Sequence, residues 1–227
     1  MRQLALLLAV FVLSLAPARA SSIFCTVTGL GAGGAVNSST VIGCGALTLD
    51  DFETVNATGA GNPGVIDLVG TPTYDSVTGI ATVNFNPNLS GTMDDEFEFA
   101  VWGGISQIGM SVGGSDATIY EEACANPVPT SGPLLGLCTD PTGSYSVPPL
   151  GSVTVSSGTP GQPILSSSFA QTNPVYIFKD INEDGGLLSE FSQGFNPSTG
   201  VPEPVTTVLL GSGLLALGLL YRRARKN

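Results

Sequence analysis

Glycine and proline punctuate this chain so often that long regular helices have no room between its two ends. The 227 residues include 30 glycines and 16 prolines. Glycine loosens regular elements and proline removes a backbone donor. Long runs of the Glu/Lys/Ala/Leu kind are absent, while Gly, Ser, Thr and Asn are many. Short strands joined by turns satisfy such a sequence best. The expected fold is therefore all-β, an antiparallel β-sandwich, jelly-roll-like, over 21–195.

Period-two alternation places the strands. Ile23 to Thr28 reads as the first, and Ala46 to Asn56 as one that bends near Asp50-Asp51. Val65 to Val69 follows as a short strand. Ile80 to Asn86 carries Ala81, Val83 and Phe85 on one face. Glu96 to Trp102 carries Phe97, Phe99 and Val101, with Glu96 and Glu98 opposite. These two read as an antiparallel pair with one wet face. Ile105 to Val112 and Ala117 to Cys124 read as two further strands. The proline-rich 125–168 reads as mostly loop, with a strand at Ser152 to Ser156. Val175 to Lys179, a turn at Asn182 to Gly186 and a returning edge strand, Leu187 to Phe195, complete the expectation. Residues 196–201 are the linker to the tail.

The ends differ from this middle. Met1-Arg2, the apolar run Leu4 to Leu15 and the small-x-small site Ala18-Arg19-Ala20 form a secretory signal peptide over 1–20, cut after Ala20. At the other end, Val205 to Tyr221 carries no charge, and four of the last six residues are cations. A helix over 205–221 would be roughly 25 Å long, slightly under the ~30 Å hydrocarbon core of a bilayer. It is expected to be the one transmembrane helix, with the basic tail 222–227 on the cytoplasmic side.

Pro202-Glu203-Pro204, the apolar helix and the terminal arginine cluster, in that order, resemble the PEP-CTERM sorting signal of Gram-negative bacteria. The resemblance is confined to the tail, 202–227. It implies a substrate of an exosortase-type membrane enzyme that recognises Pro202, Glu203 and Pro204 and processes the chain nearby. Glu190 to Phe195 is similar to a closing segment that often precedes such signals, which implies a terminal sandwich strand. The same tail sits on unrelated proteins, so the resemblance assigns the ectodomain no activity.

Export suits the four cysteines, Cys25, Cys44, Cys124 and Cys138. No C-x-x-C pair is present, and disulfides are the reading for an oxidising compartment. Four cysteines allow three pairings. The sequence-local one, Cys25 to Cys44 and Cys124 to Cys138, is expected.

Charge and histidine content limit the chemistry. With Glu203 set apart, the 17 acids left of 18 face Lys179 alone, a net charge of −16 for the middle of the chain. Nucleic acid and anionic membrane surfaces are repelled by such a body. The chain has no histidine, so neither a Ser-His-Asp triad nor a His-based metal site can form. Two acidic clusters remain for carboxylate chemistry, Asp50-Asp51-x-Glu53 and Asp94-Asp95-Glu96-x-Glu98. Asp180, Asn182 and Asp184, followed by Gly185, match the first half of a calcium loop, but position twelve is Phe191. Trp102, Tyr74, Tyr120, Tyr145 and Tyr176 are candidate sugar-stacking groups or core rim.

The expectation is a secreted, surface-tethered, non-enzymatic protein of the cell envelope or extracellular polysaccharide matrix. It has no cofactor, calcium being the one weak candidate. Its expected partners are the processing enzyme, the membrane through the C-terminal helix, and extracellular polysaccharide. The alternatives are a carbohydrate- or calcium-binding module and a carboxylate-dependent glycan hydrolase.

Overall fold

The computed structural model of the chain describes residues 22–58, 64–76, 78–87, 92–156 and 165–197. The signal peptide with Ala18 and Ala20, most of the linker, Pro202, Glu203, Pro204, the apolar helix and the basic tail lie outside the described residues. Among the described residues one 3-10 turn, Ala32–Gly34, interrupts an otherwise all-β body. Its strands are β1 (Ser22–Phe24), β2 (Thr26–Thr28), β3 (Val41–Cys44), β4 (Leu47–Thr58), β5 (Asp67–Asp75) and β6 (Ala81–Asn86). They continue with β7 (Thr92–Trp102), β8 (Ile105–Cys124), β9 (Gly151–Ser156), β10 (Leu165–Thr172) and β11 (Val175–Asn196). All the pairings among them are antiparallel.

The strands follow the path β1-β5-β6-β11-β7-β4-β3-β2, with β8 against β11 and flanked by β9 and β10. The path starts on β1 and ends on β2, and only Cys25 separates those two strands in sequence. The sheet therefore returns almost onto itself, nearly barrel-shaped. The segment read as one strand, Ile23 to Thr28, is two because Cys25 turns the chain from β5 to β3. There the Cys25 N–H donates to the Pro72 carbonyl at 2.9 Å, and Cys25 is disulfide-bonded to Cys44.

Two long strands carry the chain around a corner. In β11, Val175–Asp184 pairs with β7, and Phe191–Phe195 pairs with β6. Strand β8 follows it through both halves, with register shifts between Glu183 and Leu187 and between Leu188 and Glu190. The expected turn at Asn182 to Gly186 is thus a corner within one strand of 22 residues, and Leu187 to Phe195 is no edge strand. The two strands expected at 105–112 and 117–124 likewise form one, β8. Its corner holds Gly114 at φ +125, a backbone conformation that side-chain-bearing residues rarely adopt. Bulges that carry glycine at the register shifts let both strands bend within one sheet.

Ile80 to Asn86 and Glu96 to Trp102 do not pair with each other. Strand β11 lies between them and takes β6 and β7 on different halves. Their apolar faces still meet in one core. Phe85 lies 5.6 Å from Phe97, ring centre to ring centre, 6.0 Å from Phe99 and 5.3 Å from Phe191. Phe52 of β4 stacks on Phe99 at 5.2 Å. The bend foreseen near Asp50-Asp51 is present, with Asp51 at φ +54 and the β4–β7 register shifted between Asp50 and Glu53.

The second disulfide, Cys124–Cys138, ties the proline-rich loop down over the outer face of β8 and β11. Under it Val128 and Phe178 are buried in a small satellite cluster. Both sequence-local pairings therefore form.

Candidate functional site

Pairing of β4 with β7 brings the two acidic clusters together. Glu53 lies opposite Glu98, and Asp50 opposite Ala100. Alternation points Glu96 and Glu98 outward and Asp95 inward, since Asp95, Phe97 and Phe99 are buried. Glu98 and Glu53 line a cleft of about 270 Å³ with Asp51, Tyr176, Ser38 and Pro127. Burial pushes the Glu98 carboxyl up to about 7, and the charges of Glu53 and Asp51 push the same way. A carboxyl raised towards neutral pH in a cleft that other acids line is a candidate proton donor.

A second outward cavity, about 360 Å³, lies between β8 and β11. Asp116, Thr118, Tyr120, Asp180 and Asn182 line it. Asp180 is raised by burial, then by the charge of Asp94 and a hydrogen bond with its carboxyl. Glu96 is raised by burial, then by Asp94 and Asp180. Tyr120 donates to Glu122, and burial together with that bond lifts its hydroxyl to about 12. The calcium-loop candidates Asp180, Asn182 and Asp184 precede the corner in β11. All three lie on extended β11, with Asp180 opposite Glu96 and Asn182 opposite Asp94. The Asp184 side chain lies outside what the structure describes.

Another group of potential ligands, Glu122, Cys124 and Cys138, comes close together. Its two sulfurs are spent in the disulfide, so no thiolate is offered to a metal.

The aromatic candidates are scattered. Tyr74 packs against the core. Trp102 is half exposed and donates from Nε1 to Asp50 Oδ1 at 2.6 Å. Tyr145 sits on a loop whose turn Asp140 organises, its Oδ1 accepting from the Ser144 and Tyr145 amides at 2.8 and 3.0 Å. Those bonds and the Thr142 hydroxyl hold the Asp140 carboxyl down at about 2.

One constellation was not foreseen from the residues alone. Lys179, the lone base of the middle of the chain, points into the core and is fully buried. It contacts Glu121, its direct partner across β8–β11. It also donates to Gln193 Oε1 at 2.6 Å. Gln193 Nε2 in turn donates to Glu121 Oε1 at 2.9 Å. The uniqueness of Lys179 was the only available signal. Glu121 and Gln193 look like ordinary polar positions until the corners fold them inward.

No known protein family, curated protein or solved structure matches the chain.

Proposed function

We propose that this protein is an exported, surface-tethered and non-enzymatic component of the bacterial envelope or its extracellular polysaccharide matrix. On this reading the signal peptide is cut after Ala20. The helix over 205–221 then holds the chain in the membrane while an exosortase-type enzyme recognises Pro202, Glu203 and Pro204. The body between them is a jelly-roll-like β-sandwich whose halves share one aromatic core. Extracellular polysaccharide is its surrounding and partner, and nucleic acid is not.

The observation that supports this reading most is the state of the cysteines: all four are paired in two disulfides. Such pairs form and persist mainly in oxidising compartments outside the cytoplasm. The surface agrees. The one base of the middle segment is buried, so the face shown to solvent is acidic, which favours solubility over binding to polyanions. The test is replacement of Pro202, Glu203 and Pro204 by alanine in a host that carries the processing enzyme. The variant is expected to stay unprocessed in the membrane fraction, and normal maturation would refute the sorting role. The glycan-hydrolase alternative rests on the Glu53–Glu98 cleft. Sugar release by the purified body that is lost in Glu98→Gln would replace the non-enzymatic reading.

A further inference from the structure

We propose that Lys179 and Gln193 become joined by an amide bond across the core, with Glu121 moving the proton. The three side chains form a closed triangle. Lys179 Nζ lies 2.6 Å from Gln193 Oε1 and contacts Glu121. Glu121 holds the lysine with one oxygen and the Gln193 amide nitrogen with the other, the latter at 2.9 Å. The nucleophile, the acyl carbon and a proton carrier that touches both nucleophile and leaving group are thus gathered in one place. Such positioning replaces an encounter between separate reactants, with effective molarities on the order of 10⁵–10⁸ M in well-oriented systems.

The surroundings suit an amine rather than an ammonium. Lys179, Glu121 and Gln193 are all fully buried. Lys179 lies between Ile177 and Ile181, and its nitrogen is 5.1 Å from the centre of the Phe191 ring. Met110 Sδ, at 3.6 Å, is a further and weak acceptor. Burial drives the lysine's pKa down, against the charge and hydrogen bond of Glu121. Burying an ion pair in a core costs several kcal/mol per ion before attraction offsets it. The reaction removes both charges, which gives the fold a physical reason to carry it forward.

The atoms balance without any further reactant. The Lys179 ammonium passes one proton to the Glu121 carboxylate, leaving an amine and a carboxylic acid. The Nζ lone pair attacks Gln193 Cδ. The acid gives its proton to Nε2, the Cδ–Nε2 bond breaks, and ammonia leaves. The carboxylate then takes the surplus proton from Nζ. The products are a secondary amide, one ammonia and a neutral Glu121, with nothing oxidised or reduced.

The bond has a mechanical sense. Lys179 lies on the half of β11 that pairs with β7, and Gln193 on the half that pairs with β6. The amide would tie the two halves of the sheet together from inside. The disulfides act elsewhere, one where the sheet closes and one under the outer loop.

The test is the intact mass of protein produced from the full chain, measured after disulfide reduction and compared with the mass of its own sequenced termini. The expected result is a deficit of one ammonia, with tandem spectra of a peptic digest showing the Lys179 peptide branched to the Gln193 peptide. Lys179→Met and the isosteric Glu121→Gln are each expected to show no deficit. Full mass in the folded wild-type protein would overturn the proposal, and this holds even if the variants fail to fold. A deficit of one water, with Lys179 joined to Glu121, would overturn the assignment of Gln193 as acyl donor. An undiminished ammonia deficit in Glu121→Gln would overturn the proton-carrying role.

Discussion

Glu98 and Asp95 give up water without gaining a partner for every oxygen. Among the described residues, Glu98 Oε2 and Asp95 Oδ1 are buried and accept no hydrogen bond, while Asp95 Oδ2 accepts from the Gly64 amide at 3.1 Å. Burial lifts Asp95 to about 6, the Gly64 amide opposing it and Asp94 adding to it. Both folded-state values exceed the ordinary ones, 4.5 for Glu98 and 3.8 for Asp95. The folded state therefore binds more protons between those limits, and stability falls as pH rises through about 6 to 7. The thermal midpoint of the body is expected to be higher at pH 5 than at pH 8, and Glu98→Gln should flatten that slope. Scanning calorimetry across this range checks it, and a midpoint that climbs from pH 5 to pH 8 would contradict the burial. Asp140 acts in the opposite sense only below its ordinary 3.8, outside this window. At this scale the sequence showed which acids cluster, because they are adjacent in the chain. It could not show that Glu53 faces Glu98, since that contact depends on strand order, nor that Glu121 and Gln193 turn inward to meet Lys179.

At the level of elements, the short segment β1–β2 decides whether the sheet closes. Each of its strands has three residues, too few to hold an edge alone. The Cys25–Cys44 bond, 19 residues apart, secures β2 beside β3. Replacing both cysteines by serine is expected to cost on the order of 3 kcal/mol in the chain-entropy model. The amides of β1, β2 and β3 should lose hydrogen-exchange protection before those of β8 and β11. Uniform loss across the sheet would contradict a local role in closure. Strand existence was legible because alternation at Ala81, Val83 and Phe85, and at Phe97, Phe99 and Val101, is a local property. Strand continuity was not. Gly113-Gly114 and Gly185-Gly186 look like turn residues in sequence. Only pairing that resumes on either side of them with a shifted register makes them corners.

For the whole molecule, one aromatic core, two disulfides and the Lys179–Glu121–Gln193 triangle hold an all-β body built around two long bent strands. Its class was readable from punctuation and alternation, because both report on turns and buried faces. Its path was not, because β8 and β11 each serve both halves, and nothing local marks a shared strand. The sorting role rests on the chain ends, so the most direct measurement is of the ends themselves. The mature protein should be recovered from the envelope or medium of a host with the processing enzyme, and both termini sequenced by mass spectrometry. The expected N-terminus is Ser21 and the expected C-terminus lies near Pro202-Glu203-Pro204. A mature chain that still begins at Met1, or that still ends at Asn227, would contradict this expectation.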